Sequence, residues 1–234
     1  MVCQAVIAAA SGVDLKSGSG TTLHFMETTP PLDRFDEAYR SRSAPWVIGE
    51  PQPAIVELQR AGWIHSKVLD VGCGTGEHTI LLTRLGYDVL GIDFAPHAVE
   101  QARANAAEKG VDARFEVADA MNLGDEPGYQ TIVDSALFHI FDDADRAQYV
   151  SSLHAALRPG GLVHVLALSD AGRGFGPQVS ETDIREAFRD GWALDALDTT
   201  TYRGVVQEAQ ADAIGLQAGT RVDEPAWLAR ARRG

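Results

Sequence analysis

Residues 68–78 read VLDVGCGTGEH. Val68, Leu69 and Val71 form an apolar run around Asp70, glycines fall at 72, 74 and 76, and helix-compatible residues follow. This order predicts a buried strand, a tight turn and a helix start. Glycines at alternate positions let the backbone take positive φ and let a ligand lie against it with no Cβ in the way. The free N–H groups at a helix start add hydrogen-bond donors and a partial positive charge. A nucleotide-like ligand is the natural occupant of such a turn.

Outward from this turn the pattern alternates. Strand 67–71 precedes a helix from about Glu77 to Leu85, and strand 87–92 ends at Asp93 before a helix from Pro96 to Lys109 that stops at Gly110. Strand 113–117 ends at Asp119, and strand 130–134 leads to a helix from Asp143 to Leu157 closed by Arg158, Pro159, Gly160 and Gly161. Strand 162–168, a helix from Thr182 to Phe188 and two strands near 192–200 and 225–232 complete the chain. Strands alternating with helices of this length predict an α/β fold with βαβ units and a doubly wound, mostly parallel sheet. Upstream, Leu32, Phe35, Ala38 and Tyr39 recur at helical spacing over 32–44, the segment APWVIGEPQP (44–53) breaks regularity, and a second helix starts at Pro53.

Ligands of such sheets sit beyond the carboxyl ends of the strands. Asp70, Asp93, Asp119 and Asp134 stand at four of those ends. Asp93, after the second strand, can offer both oxygens to the vicinal hydroxyls of a ribose. A dinucleotide fingerprint running from Gly72 and Gly74 needs a small residue at 77, where this chain has Glu77. A glutamate there would repel a pyrophosphate. A nucleoside without phosphates fits better, and a dehydrogenase is disfavoured.

With these positions in view, the chain resembles the class I S-adenosylmethionine-dependent methyltransferases over roughly residues 31–234. VLDVGCGTG (68–76), GIDFAPHAVEQAR (91–103), VADAMNL (117–123), VDSALFHIF (133–141) and LRPGGLVHVL (157–166) match that family's motifs in order. The resemblance implies a seven-stranded Rossmann-like methyltransferase fold with an N-terminal helical lid. It implies S-adenosyl-L-methionine as cofactor and S-adenosyl-L-homocysteine as product. It implies that the loop of Gly72, Gly74 and Gly76 wraps the methionine part, Asp93 holds the ribose, Phe94 lies beside the adenine, Asp119 reaches the adenine amino group and Ala120 offers backbone contacts. Asp70, Asp134 and Ser135 complete the implied cofactor set. APWVIGEPQPAIVEL (44–58) further resembles a segment of thiopurine-methyltransferase-like proteins, including bacterial enzymes that O-methylate quinols and hydroxyquinolones. That resemblance implies Trp46 near the sulfonium, physically sensible as cation–π attraction, with residues 31–62 as the lid.

In-line transfer of an already activated methyl group asks the protein for alignment, desolvation and, for a phenol-like acceptor, proton removal. His139, just past the fourth strand, is the candidate base; a histidine that only caps or packs the next helix is the alternative. Asp134 and Asp170 occupy positions used by magnesium-dependent catechol methyltransferases, but Ala171 stands where those enzymes need an Asn, so no metal is predicted. Phe35, Tyr39, Trp46, Phe138 and Phe175 are candidates to line an apolar acceptor pocket, and GRGFGPQVS (172–180) to wall or cover it. The expected reaction is O-methylation of a small aromatic or heterocyclic acceptor. S- or N-methylation and a noncatalytic cofactor-binding protein remain open.

The chain has 234 residues and a net charge of −13, which disfavours tight binding to nucleic acid or to an anionic membrane. A methyltransferase acting on base amino groups would also want an Asn/Asp-Pro-Pro-aromatic motif where this chain reads DSALF. Arg230, Arg232 and Arg233 are too few to reverse the charge and read as a solvated end. The two cysteines, Cys3 and Cys73, imply neither a disulfide framework nor a metal cluster. No run of eighteen apolar residues occurs, and the N-terminus lacks the basic flank of a secretory signal. A soluble, cytoplasmic protein, a monomer or weak homodimer, is expected. Residues 1–30 read as a flexible tail before one domain over 31–234, with residues 1–25 dispensable and Met26 a plausible start.

Overall fold

The computed structural model describes residues 29–124 and 127–234. The expectations of a dispensable segment 1–25 and a start at Met26, and nearly all of the expected tail, lie outside the described residues. Seven strands form one sheet in the order β3-β2-β1-β4-β5-β7-β6. These are β1 (Val68–Val71), β2 (Val89–Asp93), β3 (Arg114–Val117), β4 (Tyr129–Ser135), β5 (Leu157–Leu168), β6 (Trp192–Val205) and β7 (Arg221–Arg233). The first five pair in parallel, and β7 runs antiparallel between β5 and β6. The order reverses between β1 and β4, which opens a crevice at their carboxyl ends.

Local chemistry sets the elements. All four residues of β1 are buried, as a central strand covered on both faces requires. Helix α1 (Leu32–Arg40) and helix α2 (Pro53–Arg60) precede the sheet, and α3 (Glu77–Arg84) and α4 (Pro96–Glu108) follow β1 and β2. Proline opens α2 and α4, where its missing N–H costs no bond. Helix α5 (Asp143–Ala156) starts at Asp142, whose carboxylate accepts the N–H groups of Ala144 and Asp145. Helix α6 (Glu181–Ala187) starts on a reciprocal Ser180–Asp183 capping box. One face of the sheet packs Leu69, Val71, Ile132 and Val165 against Tyr149 and Leu153 of α5 and Ile184 of α6. The other packs Val68, Val89 and Leu166 against Ile55 and Leu58 of α2 and Leu82 of α3.

Four boundaries differ from the sequence reading. Helix α1 ends at Arg40 rather than near residue 44, because Arg42 takes a φ of 56° and turns the chain. Strand β5 begins at Leu157: Leu157 pairs with Tyr129, the register shifts, and Leu162 pairs with Thr131, so RPGG is absorbed as a bulge. Strands β6 and β7 run on as a long hairpin, pairing from Trp192–Arg233 through to Val205–Arg221. The acidic, alanine-rich connection between them holds a short helix α7 (Glu208–Ile214). Alternation carried these strand cores, but antiparallel pairing extended them past where the apolar pattern fades. Among the described residues no helix is long and apolar enough to cross a membrane.

Candidate active site

The glycine turn stands at the carboxyl end of β1, at the switch in strand order. Gly72, Gly74 and Gly76 have φ of 64°, 54° and 87°. Gly76 is doubly constrained: a Cβ there would lie 2.8 Å from the Phe115 ring and 3.0 Å from the Ala102 methyl. A side chain at 76 would thus collide as well as strain the backbone. Asp93, at the end of β2, accepts the Gly74 N–H on Oδ2 and the Ala95 N–H on Oδ1, each at 2.9 Å. Each oxygen keeps a free lone pair. Burial pushes the Asp93 carboxyl up to about 6, against the lowering pull of those two bonds.

Beyond Asp93 the surface turns apolar. Phe94 is 45% exposed and Val117, at the end of β3, is 51% exposed. Asp119 lies exposed beside them, its Oδ1 accepting the Met121 N–H at 2.9 Å, a turn that leaves its other oxygen open. Ala120 is half-buried within that turn.

Asp70 and Asp134 differ from Asp93. Asp70 is 1% exposed and accepts the Thr79 hydroxyl at 2.6 Å, which ties β1 to α3. Burial pushes it up to about 7. Asp134, fully buried at the end of β4, accepts Leu137 N–H at 3.0 Å and Phe138 N–H at 3.3 Å on Oδ1 and the Tyr149 hydroxyl at 2.7 Å on Oδ2. Burial raises it to about 6. The sequence reading put both carboxylates among the cofactor contacts. In the structure protein donors engage both oxygens of Asp134 and one of Asp70, because each ties its strand to a neighbouring element inside the core. Ser135 is half-buried, and Ala136 after it takes a φ of 75° with its N–H on Leu166 O. That turn brings the Leu137 side chain against Gly72.

His139 requires a correction. It lies in a 3₁₀ turn, Phe138–Ile140, and is 6% exposed. Its Nδ1 accepts the Leu168 N–H at 3.0 Å, so the neutral ring carries its proton on Nε2. Burial drives its pKa down to about 3. The geometry makes it a brace between the β4 turn and β5 rather than a proton acceptor. His78 is similar: its Nε2 accepts the Gln52 N–H at 3.0 Å, and desolvation pulls it down to about 4.

The N-terminal segment closes over the glycine turn. Trp46 Nε1 donates to the Tyr39 hydroxyl at 2.8 Å, and the Trp46 ring packs on Phe35 at 5.8 Å and edge-on to Tyr39 at 5.9 Å. The Tyr39 oxygen stands 2.9 Å from where a Gly74 Cβ would be. Two of the five aromatics expected to line an acceptor pocket are core instead. Phe138 stacks on Phe188 at 5.8 Å, and Phe175 fills the space left by Gly204. The 172–180 loop is pinned, not loose: Arg173 donates to the buried Glu224 at 2.8 Å, and Val179 bridges to Ser169.

Residues 68–161 match a family model described as a methyltransferase domain. The chain is 36% identical over 178 residues to the 2-heptyl-1-hydroxyquinolin-4(1H)-one methyltransferase of Mycobacteroides abscessus, covering 70% of this chain and 78% of that protein. It belongs to the class I S-adenosylmethionine-dependent methyltransferases. A solved structure from work on the conversion of a disulfide bond into a thioacetal group during echinomycin biosynthesis is 37% identical to this methyltransferase. It superposes with a TM-score of 0.77, over 86% of this chain and 92% of that one. The 1,6-didemethyltoxoflavin-N1-methyltransferase of Burkholderia thailandensis, with a TM-score of 0.63, shares the fold at 18% identity, over 94% of this chain and 93% of that one.

Sequence reasoning missed several residues that shape this methyltransferase site. Thr79 and Tyr149 orient Asp70 and Asp134, and Gln52 pairs through its amide with both backbone groups of Arg203 in β6, at 2.8 and 2.9 Å. Tyr39 read as one apolar position of a helix and as a candidate wall of the acceptor pocket, with no role for its hydroxyl. The signal for it was a hydroxyl on the buried stripe, which needs a polar partner there.

Proposed function

We propose that this methyltransferase transfers a methyl group from S-adenosylmethionine to a hydroxyl oxygen of a small aromatic or heterocyclic acceptor, by in-line displacement. The observation that carries the reading is the Trp46–Tyr39–Phe35 cluster set against the positive-φ glycine turn. The indole and its neighbours offer aromatic surface to a sulfonium and an apolar wall to a flat acceptor. The glycine turn leaves room for a ligand backbone, Asp93 keeps lone pairs for two ribose hydroxyls, and exposed Phe94 and Val117 suit an adenine. These residues fit the cofactor, which when bound supplies an electrophilic methyl group. The α1 segment acts as the lid, fastened to α4 by Asp36, which takes the His97 N–H at 2.9 Å and pairs with His97 Nδ1 at 2.7 Å.

With His139 braced and its lone pair engaged, no base is needed if the acceptor hydroxyl ionises by itself. A hydroxyl on an electron-poor heterocycle does so near neutrality, and the protein then aligns the oxyanion and excludes water. The hydroxyquinolone methyltransferase relative supports this acceptor class. The relative tied to a disulfide-to-thioacetal conversion supports a second reading, a sulfur acceptor. Incubation with S-adenosylmethionine and a panel of hydroxyquinolones, quinols, phenols, aromatic amines and aromatic thiols separates them. A new methyl ether with release of S-adenosylhomocysteine is expected; methylation confined to thiols or amines, or none at all, overturns the oxygen reading.

A further inference from the structure

Tyr39 belongs to α1 but its hydroxyl sits over the middle of the glycine turn, 2.9 Å from the position a Gly74 Cβ would take. Three contacts hold it there. Trp46 Nε1 donates to the phenol oxygen at 2.8 Å, Gln101 Nε2 donates to the Tyr39 carbonyl at 2.8 Å, and the Asp36–His97 pair fastens the helix. The side chain is 5% exposed. A phenol has one proton to give, and the Trp46 bond uses only an acceptor lone pair. Among the described residues nothing accepts that proton. A donor so well fixed and so nearly buried points to an acceptor on a ligand.

The chemistry of the surroundings names that acceptor. The acidic side chains gathered around the turn are Asp70, Glu77 and Asp93; Thr75 already donates to Glu77 at 2.7 and 2.8 Å, and Asn105 Nδ2 to the Thr75 carbonyl at 3.0 Å. Carboxylates serve the hydroxyls and the ammonium of a bound S-adenosylmethionine. None of them can serve its carboxylate, which needs donors. We propose that Tyr39 is a cofactor-binding residue whose hydroxyl donates a hydrogen bond to the carboxylate of the cofactor's amino-acid part. The Trp46–Tyr39 pair then links the indole to the cofactor and makes closure of α1 sensitive to whether the cofactor is whole. This rests on the reading that S-adenosylmethionine lies along the glycine turn.

Calorimetric titration of the full chain tests it with two ligands, S-adenosylhomocysteine and 5′-methylthioadenosine, which keeps the adenosine but has no amino-acid part. In Tyr39→Phe the affinity for S-adenosylhomocysteine falls by about tenfold to a hundredfold, the range for a hydrogen bond to a charged group. Affinity for methylthioadenosine stays within about twofold of the wild type. Trp46→Phe, which keeps the phenol but removes the donor that orients it, gives a smaller loss with the same selectivity. Unchanged S-adenosylhomocysteine binding in Tyr39→Phe, or an equal loss for both ligands, overturns the assignment. A wild-type protein that binds neither ligand overturns the cofactor reading itself.

Discussion

The Tyr149 hydroxyl donates to Asp134 Oδ2 at 2.7 Å, while the other oxygen of the same carboxylate takes the N–H groups of Leu137 and Phe138. A side chain on α5 thereby sets the turn that presses Leu137 against Gly72 in the glycine loop. Both residues are fully buried, so the bond has no water to replace it. Tyr149→Phe keeps the ring but strands one carboxylate oxygen. The expected cost is about 1–3 kcal/mol, read as a lower urea midpoint at unchanged slope; an unchanged midpoint would show that the bond carries no stability.

Cofactor binding should follow the ionisation of Asp93. Its carboxyl is raised to about 6, chiefly by burial. Below that pH it takes up a proton and loses acceptor capacity for the ribose. Affinity for S-adenosylhomocysteine is therefore highest above pH 7 and weakens about tenfold on going to pH 5. Asp93→Asn binds weakly and with a flatter profile; a variant as steep as the wild type assigns the pH dependence to another group.

His139 gives a stability prediction of defined sign. Its pKa is near 3 in the folded protein, so as pH falls below 6.5 the unfolded chain binds the proton first. Stability supplied by the neutral ring is present above pH 6.5 and is lost as pH falls toward 3, by up to about 1.4 kcal/mol per pH unit. His139→Gln, whose amide oxygen can still take the Leu168 N–H, should lose that share of the acid sensitivity. With an acidic hydroxyl acceptor at pH 7 it should keep a transfer rate within about threefold of the wild type, a factor worth less than about 1 kcal/mol of barrier. A collapse in rate with intact S-adenosylhomocysteine binding would restore His139 as a base.

Gly76→Ala meets two penalties at once, a φ of 87° and Phe115 carbons 2.8 Å from the new methyl. Left-handed backbone costs about 1–2 kcal/mol and overpacking about 1–3 kcal/mol. Thermal unfolding should drop by several degrees. Gly86→Ala, at a φ of 88° with nothing within 4 Å, isolates the backbone share. Equal losses in the two variants would refute the close packing on Phe115.

The parallel sheet, the glycine turn and the acidic strand ends were legible along the chain. Each rests on local rules: alternation of periods, glycine where φ is positive, a carboxylate where a strand stops. Glu77 against a pyrophosphate was equally local, a single charge at a known spacing. The roles of the four strand-end aspartates were not legible. Asp93 keeps a free lone pair on each oxygen while Asp134 has both on Oδ1 and one on Oδ2 taken, and the difference comes from Tyr149 fifteen positions on and from two N–H groups of a folded turn. His139 turned from candidate base to brace for the same reason: Leu168, far away in sequence, claims its lone pair. Tyr39 and Gly74 met only once α1 had folded onto the loop. Spacing along a chain says which groups stand near a strand end, but hydrogen bonding saturates. Which lone pairs and protons remain for a ligand depends on partners that only the packed fold brings within 3 Å.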